Sequence, residues 1–452
     1  MRKRVYAVFL GIIVLTISCS VNNSDNNIKG KPITPVTPKQ VNWIGHWKNE
    51  GYKEQLLYDM ARKFEFENQD IVLNLKFPDE IYPSVNEGMF LSSELVKPDI
   101  KWDIIRVNNE VAGTAAALKD PQWPAKYLVD FSQYEKFRNN SIDEMISDEK
   151  KNRWGGIIPG HAVDGHNFVL WCNKALAQEI GINPKPFSMT ADDFESYVKA
   201  VDDYNRRTNK KVKAFAINSG WLPSYALGLQ LFASLVGDYN KVTDESFSTE
   251  KVMAWEKVLT YLEKLSAYKP VGSDWSKVSY GTNYNEILNK ECLFVINGTW
   301  MYNIWSSLDC VNYKNIVPLE LPAFNDGKTY IGEVSIPWAV PKNAPNREEA
   351  IRFMLYWCRP DVADEWVRFT KSPTGIKGSL VQSEFGVDVY ENFDYTISKK
   401  YSGKKIPLNY DNYARLFGRR NQSVACHFID VVSGQMTARE AINNIRTKLV
   451  KN

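Results

Sequence analysis

Residues 41–77, VNWIGHWKNEGYKEQLLYDMARKFEFENQDIVLNLKF, decide the fold class. The apolar run at 41–45 has the length of a buried strand, too short for a helix. Leu56, Leu57, Met60, Ala61 and Phe64 then recur at three- and four-residue spacing, so 52–66 predicts a helix with one apolar face. A second apolar run, IVLNLKF at 71–77, predicts another strand. Strand, helix, strand is the unit from which sheets with covering helices are built.

The same rhythm extends downstream. Residues 83–95 read as a helix, and WDIIRV at 102–107 as a third strand ending in Asn108, Asn109 and Glu110. After residue 157, strands are expected at 168–172, 213–217, 292–296, 316–319 and 335–340. Helices are expected from 173, at 190–207, 225–236, 249–267 and 347–358. The 190–207 helix opens on Thr190 followed by acids, an N-terminal capping pattern. The pattern predicts an α/β fold with mainly parallel sheets.

Upstream, residues 20–39 are rich in Asn, Ser, Pro and Lys and poor in large apolar groups, so they read as a flexible tether. Before them, Arg2, Lys3 and Arg4 precede an uncharged apolar run at 5–17. That run is shorter than the roughly 20 residues a membrane-crossing helix needs and reads as an export signal, residues 1–18. Its end, Leu15-Thr16-Ile17-Ser18-Cys19, resembles a bacterial lipobox, although Thr16 stands where an aliphatic residue is usual. The resemblance implies cleavage before Cys19 and a lipid anchor on it, placing the folded part outside the cytoplasm.

The net charge of +3 resides in the signal; without it 53 basic residues face 53 acidic ones. Such a balance argues against nucleic acid as partner. The chain holds 14 Trp and 23 Tyr, more than a core requires, and indole faces are platforms for sugar rings. Beyond Cys19, Cys172, Cys292, Cys310, Cys358 and Cys426 are widely spaced and sit mostly in apolar segments, which fits buried thiols; a Cys292–Cys310 bridge stays open. No cofactor or metal is expected. The four histidines, at 46, 161, 166 and 427, form no H-E-x-x-H, and neither G-x-S-x-G nor a P-loop occurs. An enzyme is not expected.

In open α/β sheets, ligands bind beyond the carboxyl ends of the strands. That rule selects His46 and Trp47 after the first strand, Asn108, Asn109 and Glu110 after the third, Asn218 and Trp221 after 213–217, and Asn297 and Trp300 after 292–296. Each group outside the third pairs a ring with residues that bind hydroxyls.

The order of these pieces resembles the carbohydrate-binding extracellular solute-binding proteins of ABC importers, the maltose-binding group. The resemblance is carried by 41–77, by PDIKWDIIRVNN at 98–109, by WCNKALAQEIGI at 171–182, by INGTW at 296–300, by 319–341 and by VVSGQMTAREA at 431–441. It implies a two-lobe periplasmic-binding-protein fold with ligand held between the lobes. Lobe one would hold 40–162 plus 336–378, and lobe two 167–332 plus 379–452. The crossings would fall at 162–167 and 331–335, bringing Asp164 and Glu333 to the cleft. The implied function is delivery of a saccharide, an oligosaccharide given three Trp, to the permease subunits of an ABC transporter, by a monomer. Surface glycan capture for another uptake system is the rival.

Overall fold

The computed structural model describes residues 37–81, 92–107, 118–217, 222–237, 248–273, 275–277, 282–324, 330–370, 372, 374–377, 405–406 and 426–450. The signal, Cys19, most of the tether, and Asn108, Asn109, Glu110, Asn218 and Trp221 lie outside them.

The opening unit forms as its spacing requires. Strands β1 (Lys39–Ile44) and β2 (Ile71–Lys76) pair in parallel, with Val41 opposite Leu73 and Trp43 opposite Leu75. The helix Tyr52–Glu67 between them buries Leu56, Leu57, Met60, Ala61 and Phe64. The chain then adds β3 (Ile105–Arg106), whose approach is fixed by the Ile44 N–H donating to the Ile104 carbonyl at 2.9 Å. Strand β9 (Trp338–Ala339) runs antiparallel to β3. Around them packs a core of indoles, Trp43 meeting Trp338 edge to face at 4.9 Å.

The second core surrounds a six-stranded sheet. Its members are β4 (Asp164–Asn173), β5 (Lys213–Ala216), β6 (Cys292–Gly298), β7 (Ile316–Leu319), β8 (Tyr330–Ser335) and β10 (Lys405–Ile406). They lie in the order β10-β8-β4-β6-β5, with β7 also on β4. Here the structure departs from the expected parallel pattern. Only β5 with β6 and β10 with β8 are parallel, whereas β4 is antiparallel to β6, β7 and β8.

The departure has a topological cause. Apolar side chains up to Val163, and again from Ile336 to Trp366, pack in the indole core, whereas those from Phe168 to Leu321 pack in two clusters about the second sheet. Between these limits, 164–167 pair antiparallel with 332–335. One strand brings the chain out of the first core and the other returns it, so their directions are opposed.

Helices cover the second sheet. Ala191–Thr208 is closed by a capping box in which the Thr190 Oγ1 accepts from the Asp193 N–H at 3.0 Å and the Asp193 carboxylate accepts from the Thr190 N–H. The Thr249–Ser266 helix packs against Leu222–Val236, Cys426–Val432 and Ala438–Val450. All five described cysteines are free, so Cys292 (buried) and Cys310 (exposed) form no bridge. No helix among the described residues is long and apolar enough to cross a membrane.

Candidate functional site

The loop after β1 turns sharply, with Trp47, Asn49 and Gly51 at φ values of 65°, 61° and 57°. The turn folds the Trp47 side chain inward. Its ring, 5% exposed, lies 5.3 Å from Trp338 and 4.9 Å from Trp366, and the Lys53 ammonium sits 5.2 Å over it. In this state the ring offers no open face to a ligand. His46, beside it at 4.7 Å, is only partly buried. Burial first, and then the Arg106 and Lys53 charges, hold its pKa well below the usual histidine value, so the ring is neutral at physiological pH. Its Nδ1 meets no hydrogen-bond partner among the described residues.

A charged cluster underlies this loop. Lys53, 1% exposed, places its ammonium 3.0 and 3.1 Å from the two oxygens of Asp164, which is 6% exposed at the head of β4. Glu50 stands nearby, its pKa raised by burial and by the Asp164 charge against the pull of Lys53 and Arg106. Buried charges persist only when paired. Asp164 thus stands where the chain leaves the first core, tied to the first long helix.

The other candidate group follows β6. Asn297, 3% exposed, turns its side chain back so that Oδ1 accepts from the Gly298 N–H at 2.8 Å. Trp171 Nε1 donates to the Gly298 carbonyl at 3.2 Å, fixing the turn. Trp300 then caps the helix Met301–Leu308, half-buried, with its ring edge-on to Phe168 at 5.7 Å. The ring lies over Gly298, where a Cβ would come within 2.0 Å of its Cζ3. Only glycine admits that close approach.

The β1 loop meets the helix that follows the β6 turn. A Cβ at Gly51 would sit 2.0 Å from Ser307 Oγ and 3.1 Å from the Asn303 carbonyl, both on the helix that Trp300 begins. The structure therefore brings His46, Trp47 and Asp164 to the junction of the two cores, where Gly51 meets the helix that Trp300 begins. Asn297 precedes that helix but is engaged with its own turn. Glu333 lies in β8 opposite His166, which places its backbone on the return crossing.

Lys53, Glu50, Arg106 and Asn303 are site residues that the sequence reading passed over. One signal existed: Lys53 precedes Leu56 and Leu57 by three and four positions, so it sits on the helix's apolar stripe. A lysine there must find a buried counter-charge.

Two other clusters fall away from this junction. Cys426, His427 and Asp430 bring donor atoms within 4.8 Å of one another, but each is already engaged in another contact. On the first core, a surface depression between Lys63, Glu67, Arg359 and Glu365 has these charges paired internally.

The family model for bacterial extracellular solute-binding proteins matches residues 91–387. The melibiose/raffinose/stachyose-binding protein MelE of Bacillus subtilis (strain 168) is 21% identical over 391 residues, covering 83% of this chain and 81% of that protein. Among solved structures, RafE of Streptococcus pneumoniae in complex with raffinose superposes with a TM-score of 0.66 at 16% identity, over 91% of this chain and 98% of that one. A sugar transporter of Bacillus licheniformis in complex with stachyose gives 0.58 at 15% identity, over 91% and 99%. Likeness at this identity establishes the fold, the two-lobe α/β architecture.

Proposed function

The chain belongs to the bacterial extracellular solute-binding proteins, and from that premise we infer that it holds an oligosaccharide reversibly between its two cores for delivery to an ABC importer. The family is one of binding proteins, not enzymes, and it works outside the cytoplasm. One observation carries the finer reading. The loop after β1 meets the helix that follows the β6 turn, each beyond the carboxyl end of its strand, at the junction of two cores between which β4 and β8 pass.

The residues suit a sugar. Neutral His46 donates to or accepts from a hydroxyl without a charge to desolvate. Trp300 supplies a ring at the cleft rim, and the third-strand residues Asn108, Asn109 and Glu110, with Trp221, complete the site in this reading. Trp47 acts behind His46, as a brace. Asp164 and Glu333 take the crossings, and Asn297 shapes the Trp300 turn.

The lobes are then 40–162 plus 336–378 and 167–332 plus 379–452, with Cys19 lipidated and 20–39 as tether to the membrane. The protein acts as a monomer toward its permease. MelE, RafE and the Bacillus licheniformis protein carry names or ligands of the raffinose series, which makes raffinose and stachyose the first probes. Titration calorimetry across mono- and oligosaccharides is expected to find reversible binding, without turnover, strongest for sugars of three or more units. A clear peptide or polyamine ligand, with no sugar bound, would sink the reading.

A further inference from the structure

We propose that Asn303 is a positioning residue for ligand binding: it clasps the helix that begins at Trp300 onto the first core. The proposal rests on the sugar reading of the cleft for its effect on affinity, but not for the clasp itself.

Asn303 lies within the first turn of Met301–Leu308. Met301 and Trp305, on either side, pack with Trp171 and Ile316 beneath the second sheet. Asn303 reaches in the opposite sense. Fully buried, it donates from Nδ2 to the carbonyl of Thr370, the last residue of the helix Pro360–Thr370. That helix belongs to the first core through Trp366. The acceptor is itself held in place, because Thr370 Oγ1 donates to the Trp366 carbonyl at 2.8 Å and accepts from the Ser372 N–H at 3.1 Å.

The second half of the clasp is the Gly51 notch. The Ser306 and Ser307 hydroxyls donate to the Asn303 carbonyl at 3.0 and 2.8 Å, and Gly51 fits against that carbonyl and Ser307. Gly51 shares its loop with His46 and Trp47, so the clasp joins the two segments that flank the cleft. A buried amide at the junction is a directional device, since its hydrogen bond specifies one register where packing alone admits several. The contact is also small. Asn303 Oδ1 meets no donor among the described residues, so a single side-chain hydrogen bond and one notch hold the helix. Such a contact opens readily.

A clasp that forms only when the cores are apposed raises the fraction of binding-competent protein. It therefore scales the affinity of every cleft ligand by the same factor. A residue that stacks on one sugar unit, as the sugar reading has Trp300 do, scales different ligands unequally when it is lost.

Asn303→Leu removes the amide while keeping its volume, and Ser307→Trp, at an exposed position, wedges the Gly51 notch. X-ray scattering of both variants without ligand is expected to show a larger radius of gyration than the wild type. Calorimetry is expected to show raffinose and stachyose weakened by a common factor of about 2- to 10-fold, the worth of one hydrogen bond. Unchanged radii in both variants, or losses that differ between the two sugars, overturn the proposal. A wild type that binds no sugar of the mono- and oligosaccharide series while the variants still expand refutes the sugar reading and leaves the clasp standing. Should Asn303→Leu fail to fold, Ser307→Trp decides by the same readings.

Discussion

Trp300 and Trp47 occupy matching places at the ends of strands, yet their surroundings assign them different work. Trp47 is enclosed by Trp338, Trp366 and the Lys53 ammonium, so its removal empties a core site. Trp300 is half-buried at the mouth of its helix. Trp300→Ala is expected to weaken sugar binding by about 1–3 kcal/mol, or roughly 5- to 150-fold, while the melting temperature falls little. Trp47→Ala is expected to cost about 3–5 kcal/mol of stability. Calorimetry and thermal melts on the same two purified variants check the contrast; a Trp300→Ala protein that melts early but binds normally would assign Trp300 to the core. At this scale the position of both tryptophans after apolar strands was legible, because turn residues follow such strands, but inward and outward folding depend on the left-handed backbone at Trp47, which no local pattern announces.

Elements were more legible than side chains. The helix at Tyr52–Glu67 and the capped helix after Thr190 follow directly from apolar spacing and capping chemistry, both local properties. The direction of β4 was not legible, because a strand that passes between cores carries the same apolar signature as one within a parallel sheet. The β6 turn shows how an element sets a site. Gly298 pairs with Phe168 at the end of the β6 ladder and lies under the Trp300 ring, so Gly298→Ala pushes that ring aside. We expect Gly298→Ala to lose sugar affinity to nearly the extent of Trp300→Ala, with a shift in tryptophan fluorescence. An affinity equal to that of the wild type would show that the ring's placement over Gly298 does not matter for binding.

At the level of the whole molecule, stability reflects what the two cores seal from water. His161, 1% exposed in the first core, packs 4.5 Å from Phe137 and 5.8 Å from Phe131, and Cys358 Sγ lies 2.6 Å from its Nε2. Burial, with a smaller contribution from the Lys136 charge, lowers its pKa to about 3. Burial also pushes the Cys358 thiol up, so a protonated sulfur lies against a neutral imidazole. The unfolded chain binds a proton at this histidine below about pH 6.5, whereas the folded chain does not until far lower. Stability from this group is therefore complete above pH 6.5 and is lost as pH falls toward 3. His46 acts in the same sense, and Glu50, with its raised pKa, in the opposite one. A variant that keeps the ring but cannot titrate isolates the His161 contribution. Denaturant unfolding at pH 7 and pH 5 is expected to show the wild type losing about 2 kcal/mol more than His161→Phe over that interval, whatever their starting difference. Parallel losses in the two proteins would mean that His161 takes up its proton in the folded state, and that the first core is open to water at the point where Phe137 and Cys358 enclose it.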